Sequence, residues 1–95
     1  MERSEPLRIS ASHPCLPGHF PGQPVVPGVV ILDHVAACLE RMQVGRLWRM
    51  SSVKFVAPLF PEQDAQLHVR IEEKRVRFRV SRQDEMLASG DGELA

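Results

Sequence analysis

Apolar and polar residues alternate with a period of two through most of the second half of the chain. Leu67, Val69 and Ile71 alternate with His68, Arg70 and Glu72, and Val76, Phe78 and Val80 with Arg75, Arg77 and Arg79. Weaker alternation runs from Trp48 to Val56 and from Met86 to Glu93. This period predicts half-buried strands over 48–56, 65–73, 75–82 and 86–93. A further short strand is expected at Leu7, Ile9 and Ala11, behind five polar residues expected to be disordered. Between these strands, Val29 to Met42 is apolar almost all round for its first three turns, which by length reads as a helix. Pro27 suits a helix start, because its missing N–H needs no partner there, and polar residues return only towards Gly45, the expected stop. A helix apolar on nearly every side is predicted to be buried and wrapped by other elements. The expected fold is α+β, an antiparallel sheet wrapped around one central helix, in a single domain over 1–95.

One segment fits neither period. His13 to Gly28 reads HPCLPGHFPGQPVVPG, with five prolines and three glycines in sixteen residues, so no regular element is expected there. Its apolar residues Leu16, Phe20, Val25 and Val26 predict an ordered loop, since a solvated linker is richer in Ser, Glu and Lys.

With 12 basic and 12 acidic residues in 95, the chain has no global field to attract nucleic acid or an anionic membrane. No apolar run approaches the roughly 20 residues of a membrane span, and the start MERSEP has no signal-peptide core, so a cytoplasmic protein is expected. Cys15 and Cys38 are too few for a disulfide framework. A chain this short buries only about 60–68% of its unfolded surface, which favours a partner subunit, a dimer by default.

Three features carry candidate chemistry. His19 lies in the Pro/Gly loop, where a lone histidine is more often a packing or hydrogen-bonding residue. Asp33 lies between Leu32 and Val35 in the most apolar stretch, where burial of an unpaired carboxylate costs several kcal/mol, roughly, unless a partner or cavity offsets it. The helix dipole recovers about 0.3–1 kcal/mol of that, and His34 is the natural satisfier of some of the rest or simply an exposed neighbour. The third feature is backbone: N–H groups of Gly28, Val29 and Val30 at a helix start suit a thioester oxygen becoming an enolate, and glycine admits close approach. Alone this is weak, because every helix has such an end. With a neutral imidazole as base and a carboxylate opposite, the set suits proton abstraction beside a carbonyl. A metal site from His13, Cys15 and His19, with His34 and Cys38 to hand, matches no common zinc spacing, and none is expected. The row Arg75, Arg77 and Arg79 with Arg82 reads as a solvated strand face, yet 10 basic against 4 acidic residues from Arg41 to Arg82 could receive an acidic partner.

The run Gly18 to Gly28 (GHFPGQPVVPG), continued by VVILD ending at Asp33, resembles the active-site signature of the 3-hydroxyacyl-[acyl-carrier-protein] dehydratases of the FabZ and FabA type, which have the hotdog fold. VKFVAPLFPEQD (Val53 to Asp64) resembles the strand, turn and strand that follow the central helix in that family. The resemblance covers about residues 7 to 93. It implies a cofactor-free dehydratase of fatty-acid, aryl-polyene or polyketide-type biosynthesis, acting on acyl chains carried by acyl carrier protein. It also implies a homodimer with its site shared between subunits. In it His19 takes the α-proton, Asp33 of the other subunit helps the hydroxyl leave as water, and the Gly28 amide binds the thioester carbonyl. Pro21, Gly22, Pro24 and Pro27 set the loop geometry that aims His19, Phe20 helps anchor it, and Gly28, Val29, Phe20 and Pro27 are the expected substrate-binding residues. A carboxyl delivers a proton only where burial keeps it protonated, and otherwise orients the hydroxyl or a water. Asp33 is the acid of the FabA branch where many FabZ relatives have Glu, and Glu62 stands where the family usually has glycine in a turn. The alternatives are a hotdog thioesterase and a non-catalytic acyl-binding subunit.

Overall fold

The computed structural model describes residues 1–14, 16 and 25–95. Its elements are β1 (Glu2–Leu7), α1 (Gly28–Met42), β2 (Leu47–Phe55), β3 (Ala65–Glu72), β4 (Arg75–Arg82) and β5 (Glu85–Leu94). All strands pair antiparallel in one sheet of order β1-β3-β4-β5-β2. β3, β4 and β5 form the expected meander, and the alternation places Leu67, Val69, Ile71, Val76, Phe78 and Val80 on the buried face. Because β1 and β2 are the two outer strands, the chain between them must cross the sheet. That crossing carries α1, which lays Val30, Ile31, Val35, Cys38 and Leu39 into the common core. Register shifts in β2 against β5, and at Val80/Ser81 in β4, add the local bends that curl a sheet around a helix. The hotdog expectation therefore holds.

Several expectations need correction. Residues 1–5 are not frayed, and the first strand is Glu2–Leu7, five residues earlier than the alternation at Leu7, Ile9 and Ala11 placed it. Leu7 and Ile9 are buried as expected, but the ladder runs through polar residues paired to β3 or to each other. Ser4 bonds His68 Nδ1 at 2.6 Å, His68 Nε2 lies 3.6 Å from Glu2, and Arg3 pairs with Glu5 at 3.2 Å. An edge strand of charged residues is stable when its ladder and cross-strand pairs are made, and periodicity cannot see either. The helix stop is also earlier than Gly45. Gln43 takes the left-handed C-cap conformation (φ 57°) and donates its N–H to Glu40 O. Arg82 leaves the arginine row: half-buried, it bonds Pro58 O, Gln63 and Glu85. Arg75, Arg77 and Arg79 are exposed, as a solvated face requires.

The helix itself is not wrapped on all sides. Val29, Asp33 and Glu40 are exposed along one stripe, and Leu32, Ala36 and Ala37 beside it are half-buried. Among the described residues, the sheet covers one flank of α1 and leaves the other flank exposed or half-buried.

Candidate active site

The start of α1 is built by its neighbours. Pro27 is extended (φ −62°, ψ 144°), offers no side-chain cap, and no acidic residue follows in the first turn. Among the described residues neither a cap nor a first-turn carboxylate compensates the positive end of the helix dipole. Val26 N–H donates to Leu59 O at 2.8 Å, tying this start to the segment after β2, where Val56 and Ala57 N–H both reach Leu87 O. The result is an open, mainly apolar pocket of about 380 Å³, with Gly28, Ile31 and Phe55 among its lining. That volume lies in the range of small-molecule sites.

Two of the three expected amides have no acceptor among the described residues. Val30 N–H donates to Pro27 O at 3.0 Å and is already spent, which corrects the three-donor reading. Gly28 and Val29 N–H donate to no group among the described residues. Gly28 is also sterically required, since a Cβ built there would lie 2.5 Å from Phe55 Cζ. The Phe55 ring therefore covers the backbone of Gly28. Strand periodicity gave no reason to single out Phe55; its position at the end of an edge strand matters because the fold brings it to the helix start.

Asp33 lies in the second turn of α1, and it is exposed, not buried. The burial cost expected from its apolar surroundings is absent within one chain, because Val29, four residues earlier on the same stripe and 59% exposed, faces outward as well. His34 makes no hydrogen bond to Asp33 among the described residues and does not serve as its satisfier. Burial, then the charges of Arg41 and His13, hold the His34 imidazole below its ordinary value of 6.5. Glu5 pairs with Arg41 across β1 and α1. Cys38 is a buried free thiol pushed up by burial first and by Glu5 second. Among the described residues no group of three His, Cys, Asp or Glu side chains could hold a metal, and no helix is long and apolar enough to cross a membrane. His19 and Phe20, and with them Cys15, Pro21, Gly22 and Pro24, lie outside the described residues. Leu16, inside that stretch, and Val26, shortly after it, are buried, and Val25 is half-buried.

Glu62 shows how the departure from the family turn is absorbed. It adopts φ 67°, the left-handed region that glycine favours, and donates its N–H to Ile9 O at 2.8 Å. Its carboxylate accepts from Ala11 N–H at 3.2 Å and lies 3.5 Å from Arg8. The turn keeps the glycine conformation, with these contacts offsetting its strain.

Comparisons with known proteins agree with this fold. The sequence model of the ApeI-like family (ApeI dehydratase) matches residues 4–91. A 3-hydroxyacyl-[acyl-carrier-protein] dehydratase FabZ of Mannheimia succiniciproducens is 33% identical over 97 aligned positions, covering 92% of this chain and 63% of that protein. The FabZ of Haemophilus influenzae is 32% identical over 77, covering 70% of this chain and 52% of its own length. This chain thus spans about half to two thirds of the length of those relatives. Among solved structures, the dehydratase heterocomplex ApeI:P from Xenorhabdus doucetiae superposes with a TM-score of 0.89 at 26% identity, covering 99% of this chain and 87% of that one. With the family match extending over nearly its whole length, the chain belongs to the ApeI-like dehydratase family.

Proposed function

We propose that the protein dehydrates a 3-hydroxyacyl thioester carried on acyl carrier protein to the trans-2-enoyl thioester, in fatty-acid or aryl-polyene-type biosynthesis. The observation that carries this reading is the start of α1: Asp33 is exposed one turn after Val29, the amides of Gly28 and Val29 donate to no group among the described residues, and Gly28 lines an apolar pocket. In the reaction His19 removes the α-proton, and the thioester oxygen gathers charge against the Gly28 amide, where aligned backbone donors act at low dielectric. The Cα electron pair then forms the double bond as the β-hydroxyl, oriented by Asp33, departs as water with the proton that His19 carries, which returns the imidazole to its neutral form. Because Asp33 points away from its own core, it serves a site completed by a second subunit, and we read the assembly as a dimer with shared sites.

The carrier is expected to dock electrostatically. Lys74, Arg75 and Arg79 have no ion-pair partner among the described residues and present free positive charge on and beside the outer sheet face. An unlike partner is the second reading of the dimer. β2 is an outer strand whose only charges, Arg49 and Lys54, are both positive, so a two-fold self-pairing in a register that opposes them sets like charges close together. The solved neighbour from Xenorhabdus is itself a heterocomplex.

The test follows ultraviolet absorbance of the conjugated enoyl group with 3-hydroxyacyl and 2-enoyl thioesters, free and carrier-linked. Turnover by the parent that is lost in His19→Ala and Asp33→Asn, with folding unchanged, supports the reading. Release of free thiol would instead identify a thioesterase, and acyl binding without turnover a non-catalytic subunit. Sedimentation of the protein alone separates the self-dimer from a monomer awaiting another chain.

A further inference from the structure

The contact between Phe55 and Gly28 constrains more than the helix start. The ring occupies the space in which any side chain at position 28 would stand, with Cζ, Cε2 and Cε1 at 2.5, 2.9 and 3.1 Å from an ideal Cβ. It is nevertheless 51% exposed, so it forms a wall of the pocket and is not part of the packed core. Its backbone is held by the last β2–β5 pairing, Phe55 with Ala88, and the next residue, Val56, bonds Leu87 O at 2.8 Å. The wall is therefore attached to a fixed strand end.

We infer that Phe55 is a specificity-determining residue that rejects acyl chains branched at the α-carbon. The inference rests on the proposed role of the Gly28 amide. A thioester oxygen accepting from that N–H brings the carbonyl carbon, and the α-carbon bonded to it, beside the Gly28 backbone. Phe55 already fills one side of that backbone. An unbranched chain presents only hydrogens to the ring, whereas a methyl on the α-carbon needs volume that the ring holds. One methyl group in an apolar pocket is commonly worth about tenfold or more in discrimination. Ile31, which also lines the pocket, is buried in the core and does not yield space in exchange.

The test compares crotonyl with 2-methylcrotonyl thioesters of N-acetylcysteamine as hydration substrates for the parent, Phe55→Ala and Phe55→Tyr. The parent and Phe55→Tyr are expected to prefer the unbranched substrate by about tenfold or more in kcat/KM, and Phe55→Ala by less than about threefold. Should Phe55→Ala fail to fold, Phe55→Val replaces it, with the preference again expected to fall. An unchanged preference in the truncated variant, or no preference in the parent, overturns the inference. Calorimetric binding of butyryl and 2-methylbutyryl thioesters is measured beside the kinetics. If the parent binds without turning over, loss of binding preference on truncating Phe55 still supports the inference while the dehydratase reading fails. An equal preference in both proteins rejects the inference separately.

Discussion

His34 shows how a single side chain next to the site couples charge to stability. Partial burial and the cations of Arg41 and His13 disfavour its protonated form, against the weaker opposing pull of Glu5 and Asp33. Its folded pKa is therefore below the unfolded one, so the unfolded chain binds more protons between the two values. The contribution of His34 to stability is full above about pH 6.5 and is lost as pH falls through the folded value. Melting temperature is expected to drop from pH 7.5 into the acid range, and His34→Gln to flatten that drop. An equal slope in the variant would remove His34 as the cause. At Gly90 steric space decides. A Cβ would lie 2.4 Å from Phe78 Cε1 and 2.9 Å from Ser52 O, the first a buried ring and the second backbone. Gly90→Ala is expected to cost about 1–3 kcal/mol in urea unfolding, as overpacking does.

Among the elements, the β4–β5 hairpin carries stored strain that sequence design can relieve. Its two-residue turn sets Gln83 and Asp84 at φ 49° and 66°, the pair of left-handed conformations for which Asn-Gly is preferred. Replacing Gln83-Asp84 by Asn-Gly is expected to raise unfolding stability by ~1 kcal/mol, since left-handed backbone is costly for other residues. The urea midpoint should rise at unchanged slope; a fall would mean that the native turn side chains contribute contacts outweighing the strain. Helix α1 stands in a different balance. Its inner flank is fully used by the core, and its outer flank, with Val29 exposed beside half-buried Leu32 and Ala36, is apolar without cover in one chain. That flank also bears Asp33, so the surface that asks for a neighbour is the one that carries the candidate carboxylate.

For the whole molecule, a shared site makes a quantitative prediction. If His19 of one subunit works with Asp33 of the other, a dimer formed from one His19→Ala chain and one Asp33→Asn chain has one site with both groups intact and one with neither. Mixing the two inactive variants after reversible dissociation should restore about a quarter of parental activity, the statistical yield for a two-fold dimer. No recovery, with mixed dimers demonstrated by mass spectrometry, would place His19 and Asp33 in the same chain's site.

Much of this protein was legible along the chain. The two-residue period placed β3 and β4 almost to the residue, and Pro27 with the apolar run after it placed the start of α1. These features are local: alternation and helix starts are set by side chains a few positions apart. The GHFPGQPVVPG motif and the family to which it points were also visible in one dimension. Tertiary structure alone decided the rest. Only pairing with β3 makes a strand of the polar Glu2–Leu7, because its ladder partners, from Arg70 for Glu2 to Ala65 for Leu7, lie far along the chain. Only the crossing of α1 over the sheet brings Phe55 onto Gly28. And only the folded chain shows that Asp33 points outward, since an all-round apolar helix reads the same whether its second flank is covered by its own sheet or awaits another subunit.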